Sequence, residues 1–153
     1  MKKIMTIALL SILTLSGCSA LEEVNSSLEY ADDATKYVNT VQDFANEVPA
    51  MSQDAITNAE TRANLEKELE LMKTEIEEFN ATEPPQIAEG IHEKIVSSNQ
   101  QLSDGIELYL NNIEKGQIDP KALEDSEIMK SIDNITDWQN KLKSWEIKEL
   151  CNE

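Results

Sequence analysis

Hydrophobic residues recur along the first third of the chain at intervals that favour a helix. Three series, each with a step of seven residues, interleave between residues 24 and 48. They comprise Val24, Ala31, Val38 and Ala45; Ala34, Val41 and Val48; and Tyr30, Tyr37 and Phe44. Because seven residues make almost two helical turns, all three series fall on one broad apolar stripe. The pattern predicts a first helix over about Leu21–Glu47, interrupted by Pro49, which has no backbone N–H to donate.

Three further segments, about 50–80, 85–115 and 120–150, repeat apolar residues at helical spacings of three and four. A capping-box pattern at Thr57–Glu60 indicates a fresh start inside the second segment. Ser98 and Asn99 interrupt the apolar stripe of the third. Gly116 is a good helix end, and Asp119 before Pro120 is a good helix start. Asp125–Ser126 marks a candidate break in the fourth segment.

The segments predict an all-α protein. Short connections make consecutive helices antiparallel neighbours, so the expected architecture is an up-down-up-down four-helix bundle. An elongated two- or three-helix coiled coil that dimerises is the alternative. In the bundle, the first and fourth helices are neighbours, which predicts Tyr30 near Trp145 and Tyr37 near Trp138.

The amino terminus has the three parts of a bacterial lipoprotein signal peptide. Lys2 and Lys3 precede a mostly apolar run, Ile4–Leu15, that is too short to span a bilayer. The following Leu15–Cys18 segment, Leu-Ser-Gly-Cys, resembles the lipobox, which implies a diacylglyceryl thioether on Cys18 and cleavage before it. We therefore expect a signal peptide at 1–17, a lipidated anchor at 18–20 and a single acidic helical domain at 21–153. The protein would be held by its acyl chains on the extracytoplasmic face of the cell membrane.

Charge narrows the possible partners. The chain has 13 Lys and Arg against 30 Asp and Glu, a formal charge of −17. Removing residues 1–17 takes away Lys2 and Lys3 and no acidic residue, so the mature chain would carry −19. Such acidity argues against nucleic acid and against an electrostatic grip on anionic lipid. It favours a partner with a basic surface.

Stretches along the whole chain resemble an uncharacterised family of small helical lipoproteins from Gram-positive, spore-forming bacteria. They are EYADDATKYVNTVQDFANEVPA at 29–50, LELMKTEIEEFNA at 69–81 and LYLNNIEKG at 108–116. The resemblance implies the location and an all-helical fold. The lipobox is its one specific motif, and the family supplies no catalytic or binding residues.

Glu89 and His92 are the weak candidates for a metal site. Their i, i+3 spacing occurs in di-iron bundles, which need two such pairs, and this chain has one histidine. We expect His92 to lie beside the buried stripe set by Ile91 and Ile95, or to face water. Val96 stands where the zinc-protease pattern needs a second histidine. We therefore expect no metal and no cofactor.

Three other features have a structural and a functional interpretation. The acidic run of the second segment favours a solvated helix face over a calcium site, which needs a wrapping loop. It comprises Glu66, Glu68, Glu70, Glu75, Glu77 and Glu78. The regularly spaced aromatic residues favour core packing over a ligand groove. Cys151 is left without an intramolecular partner once Cys18 is lipidated, so it is a free thiol or forms an intermolecular bridge.

These residues favour a binding or structural module of the cell envelope. A small-molecule or cation-binding lipoprotein is the alternative. No nucleophile–base pair or phosphate-binding loop is recognisable, so we do not expect an enzyme.

Overall fold

A computed structural model describes residues 17–124 and 126–150, and these residues contain five α-helices and no strand. A single 3-10 turn, Gln86–Ala88, leads into α3. The helices are α1 (Gly17–Ala55), α2 (Ala59–Asn80), α3 (Glu89–Glu114), α4 (Pro120–Glu124) and α5 (Glu127–Leu150). The all-α prediction is confirmed. Within the described ranges, no helix is both long and apolar enough to cross a membrane.

Local capping explains most of the helix ends. The Asn58 side chain accepts hydrogen bonds from the backbone N–H groups of Glu60 and Thr61, so α2 starts one residue after the predicted position. Gly116, after the end of α3, has a φ of 72°, a conformation that favours glycine. The Asp119 side chain accepts from the first backbone N–H groups of α4. The predicted break at Asp125–Ser126 is confirmed, since α4 ends at Glu124 and α5 begins at Glu127.

Pro49 does not interrupt the first helix, and this part of the prediction was wrong. The helix continues through Pro49 to Ala55, so α1 has 39 residues and the helices differ in length. Proline leaves one backbone carbonyl of the preceding turn without its helical donor. The residues after it compensate, because Ser52 and Ala55 are fully buried. Tertiary packing thus extends the helix past the local break.

The four long helices form the predicted bundle within one chain. α1 packs on α2, α2 on α3, α3 on α5, and α5 on α1, which closes the ring. Side-chain contacts fix the directions of α3 and α5. Gly105 approaches Ile128, whereas Lys94 lies over the ring of Trp138. The later residue of α3 therefore meets the earlier residue of α5, so α3 and α5 are antiparallel.

The core runs along the inner faces of all four long helices. The aromatic residues of α1 are buried in it, which confirms the core interpretation. The predicted Tyr37–Trp138 contact is not among the ring contacts of the described side chains. Tyr37 stacks on Phe79 of α2 with ring centroids 4.2 Å apart. Trp138 is only half-buried, and Lys141 lies 3.8 Å from its ring centre. The side chain of Trp145 lies outside the described part of the chain.

Candidate functional site

Among the described side chains of the bundle interior, three hydrogen-bonded pairs join α1 to α3 across the diagonal of the bundle. The Tyr30 hydroxyl lies 3.1 Å from His92 Nδ1. Seven residues further along both helices, the Tyr37 hydroxyl donates to Asn99 Oδ1 at 2.6 Å. Near the far end of α1, Ser52 and Tyr109 are hydrogen-bonded through their hydroxyl groups. These three pairs form what we call the polar ladder. Its pairs advance in the same direction on both helices, so α1 and α3 are parallel.

The middle pair extends to a third helix. Asn99 Nδ2 donates to Asn80 Oδ1 at 2.7 Å, at the end of α2. Asn99 is fully buried. A buried amide that lacks partners is costly, and here both ends of the amide are bonded. The polar residue Asn99 in the third stripe is therefore explained by a hydrogen-bond network, whereas Ser98 is buried but has no part in that network.

The first pair is surrounded by aromatic rings. The centroid of the His92 ring is 5.3 Å from that of Phe79 and 5.8 Å from that of Tyr30. Burial lowers the pKa of His92 below its ordinary value, although the Glu93 carboxylate acts in the opposite direction. Burial raises the pKa of Tyr30 to about 12. The pair is therefore neutral at physiological pH.

The other two tyrosines are also held protonated. Burial raises the pKa of Tyr37, and its hydrogen bond to Asn99 offsets only part of that effect. Burial likewise raises the pKa of Tyr109, with the hydrogen bond to Ser52 opposing it. A neutral hydroxyl bonded inside a core is a poor nucleophile or base at neutral pH. The ladder is thus suited to a structural role, because its hydrogen bonds hold α1 and α3 together.

The structure corrects the expected position of His92. Its side chain is 7% exposed, and it belongs to the core rather than to the edge of the stripe. Glu89, three residues earlier, is exposed. The two weak metal candidates therefore do not converge, and Tyr30 occupies His92 Nδ1. The described residues contain no group of three or more His, Cys, Asp or Glu side chains placed to hold a metal ion.

The remaining candidates fall in three places. The acidic run of α2 lies on exposed or half-buried positions, as a solvated face requires. Cys18 belongs to the first turn of α1, but its side chain lies outside the described part, so its lipidation stays a prediction. Cys151 lies outside the described residues.

Among the described residues, two surface grooves and three buried polar atoms without a hydrogen-bond partner, one of them Arg62 Nε on α2, are further candidates. The larger groove has a volume of about 530 Å³ and lies between α3 and the α4–α5 junction. The smaller one, about 200 Å³, lies between α1 and α2. On α5, Ser131 Oγ and Gln139 Nε2 are buried without a hydrogen-bond partner. Neither Ser131 nor Gln139 lines either of these grooves.

Sequence reasoning missed both the ladder and the larger groove. The ladder had a signal, because Tyr30 and Tyr37 share a seven-residue spacing with His92 and Asn99. Only the diagonal placement of α1 and α3 shows that these spacings match. The groove had no signal, since it depends on how closely α3 approaches α5 at Gly105.

The chain is similar to one protein family and to one bacterial lipoprotein. The sequence pattern of a family described as a family of unknown function, DUF6376, matches residues 30–145. The chain is also 35% identical over 138 residues to the uncharacterized lipoprotein YybP of Bacillus subtilis (strain 168). That alignment covers 90% of this chain and 93% of the relative. No solved structure matches. The resemblance to uncharacterised lipoproteins of Gram-positive bacteria is confirmed.

Proposed function

The chain belongs to the DUF6376 family of unknown function, and we propose that it is a membrane-anchored lipoprotein that binds a basic protein of the cell envelope. Its role is interaction or structural support rather than catalysis. The acyl chains on Cys18 hold it at the extracytoplasmic face of the cell membrane. The helical domain presents the binding surface.

The anchoring part of the proposal is supported by the lipobox and by the lipoprotein relative. Leu15–Cys18 has the required residue order, and the related chain is itself described as a lipoprotein. α1 begins at Gly17, so helix directly follows the anchoring residue. The bundle is thus joined to its anchor without an intervening loop. Two or three acyl chains suffice for stable attachment.

The distribution of charge is the single observation that carries the interaction role. No Asp or Glu whose side chain the structure describes is buried, whereas the buried polar side chains are uncharged. Those in the ladder are bonded to one another. The carboxylates therefore give the exterior a strong negative field. Such a field steers basic partners and repels acidic ones.

Photo-crosslinking in intact cells tests this function. A photoreactive amino acid is placed at exposed positions on separate faces, such as Leu71, Lys94 and Leu108. We expect crosslinks from at least one face to a basic envelope protein. They should weaken when carboxylates of that face are changed to amides. Crosslinks that stay unchanged in the amide variants, or none to any basic protein, would contradict the proposal. A Cys18→Ala variant controls for membrane location.

A further inference from the structure

The larger groove offers an apolar surface on an otherwise acidic molecule. Gly105, Tyr109 and Ile128 line it, and Leu108 stands beside them. Leu108 is 64% exposed, the highest value among the large hydrophobic residues whose side chains the structure describes. Exposing so much of a leucine is unfavourable in water. An apolar surface of this kind is typical of a binding site.

The groove keeps its shape because its floor, formed by Gly105, Tyr109 and Ile128, is tightly packed. A Cβ atom at Gly105 would lie 2.8 Å from Ile128 Cγ1, so α3 and α5 are in close contact there. The Tyr109 hydroxyl is bonded to Ser52, which fixes the tyrosine side chain from the inside. The floor is therefore preorganised, and a bound segment need not order it.

Carboxylates accompany the apolar floor. Asp104 on α3 and Glu127 at the start of α5 both line the groove. Glu127 is bonded to Lys130, and Asp104 accepts a hydrogen bond from Gln100. No lysine or arginine lines the groove. A segment that carries an apolar side chain flanked by positive charges matches this arrangement.

We propose that this groove binds a cationic amphipathic segment of an extracytoplasmic protein. An aliphatic or aromatic side chain of the segment packs against Leu108, and lysine or arginine side chains approach Asp104 and Glu127. The inference rests on the proposed interaction function and deepens it, because it names the surface and the chemistry of the partner.

Two other occupants fit less well. A second copy of the mature chain brings the same charge of −19 and the same acidic groove, so the two copies repel. Membrane lipid is a less suitable occupant, because the groove is far along α1 from the lipid anchor proposed at Cys18. The groove lies at the level of Ser52, which is 34 residues beyond Cys18 in α1. At 1.5 Å per residue this is about 50 Å along the helix.

A binding titration with designed peptides tests the inference. The full-length lipoprotein is placed in phosphatidylcholine nanodiscs. The probe is a fluorescein-labelled 14-residue peptide of leucine and lysine, patterned as an amphipathic helix. A second peptide has the same composition in an order with no apolar face, and a third has glutamate for lysine. Fluorescence anisotropy reports binding, and the amphipathic lysine peptide should bind most tightly.

Matched variants locate the site. Leu108→Gln should weaken binding at least tenfold, whereas Leu71→Gln, which changes an exposed leucine on α2, should change it less than twofold. Asp104→Asn should weaken it more than Asp43→Asn, because Asp43 lies in the other groove. All four positions are exposed, and circular dichroism verifies that each variant folds.

The outcomes separate the two proposals. Equal effects of Leu108→Gln and Leu71→Gln would overturn the groove assignment and leave the charge-driven interaction standing. A scrambled peptide that binds as tightly as the amphipathic one would also overturn it. Failure of every lysine peptide to bind, or equal binding of the glutamate peptide, would overturn the basic-partner function itself.

Discussion

Tyr37 shows how much of this core depends on one hydroxyl. Its ring stacks on Phe79, and its hydroxyl donates to the buried Asn99. Tyr37→Phe keeps the ring and leaves Asn99 Oδ1 without this donor. Because an unsatisfied buried acceptor is costly, we expect the free energy of unfolding to fall by about 1–3 kcal/mol. Urea denaturation of the two proteins measures this.

The exposed Thr74 supplies the control for Tyr37→Phe. Its hydroxyl donates to the Glu70 carbonyl at 3.2 Å, on the outer face of α2. Thr74→Val removes that hydroxyl where water replaces the bond, so the expected change is within about 0.5 kcal/mol. If the free energy of unfolding fell equally in the two variants, burial would not increase the contribution of the Tyr37–Asn99 hydrogen bond to stability.

His92 should make the stability depend on pH. Burial holds its pKa in the folded protein below the ordinary value of about 6.5, so the unfolded chain binds the proton first as pH falls. The contribution of neutral His92 to the free energy of unfolding is complete above about pH 6.5. It is lost as the pH falls toward the pKa of His92 in the folded protein. Tyr30 and Glu93 are the ionisable groups beside it.

The comparison of wild type with His92→Gln isolates this effect. Glutamine can still bond to Tyr30 but does not titrate, and all other groups are shared. Between pH 7.5 and 5, the free energy of unfolding of the wild type should fall relative to that of the variant. A difference that stays constant across this range would show that His92 does not gain a proton preferentially on unfolding.

The wrong position for His92 has a physical reason. Local periodicity placed it next to Ile91 and Ile95, at the edge of their stripe. A histidine at such an edge can turn inward only if it finds a partner, and that partner is Tyr30 on a helix 62 residues earlier. No pattern within α3 contains this information. By contrast, the buried isoleucines of α3 were predictable, because their burial follows from spacing alone.

At the scale of elements, two glycines of α3 should respond in opposite ways to the same substitution. A Cβ at Gly90 meets nothing within 4 Å, whereas at Gly105 it meets Ile128. Gly90→Ala should raise the free energy of unfolding by up to about 1 kcal/mol, because alanine restricts the unfolded chain.

Gly105→Ala gains the same helix preference but overpacks the α3–α5 contact. Overpacking typically costs about 1–3 kcal/mol, so the net change should be destabilising. Denaturant melts of both variants give the comparison. A stabilised Gly105→Ala protein would mean that α3 and α5 separate easily, and the tightly packed floor of the groove would then be wrong.

Helix boundaries show which parts of an element the sequence specifies. The starts at Asn58 and Asp119 depend on side chains two or three residues away, so capping patterns located them within one residue. The continuation through Pro49 depends on the burial of Ser52 and Ala55 against other helices. Interactions between distant segments decided that boundary, and no local pattern could.

At the scale of the whole molecule, the excess of carboxylates should make stability depend on salt. Like charges repel across the compact surface, and salt screens them. Sodium chloride should therefore raise the melting temperature. At matched ionic strength, calcium, zinc and iron should raise it no further, and a chelator should have no effect. A shift of several degrees for one ion, lost in Glu89→Gln or His92→Ala, would instead identify a metal site.

The lipobox interpretation predicts that membrane attachment depends on the sulfur of Cys18. Cys18→Ala should abolish incorporation of labelled fatty acid and release the protein from the membrane fraction. Cell fractionation with radiolabelled palmitate measures both. Cys151→Ala is the control, because it removes the other thiol and should leave labelling unchanged. Label still entering the Cys18→Ala protein would refute the lipobox interpretation.

The spacing of the polar ladder also limits how the helices can be aligned. Tyr30 and Tyr37 are seven residues apart, as are His92 and Asn99, so a slip of one heptad would still offer one of these tyrosines a partner. The third pair, Ser52 and Tyr109, distinguishes the native alignment from the slipped ones. Its sequence separation is 57 residues rather than 62. In one slipped alignment Tyr109 would face Ala45, and in the other it would lie beyond the end of α1. The pair farthest from the amino terminus therefore selects the native register.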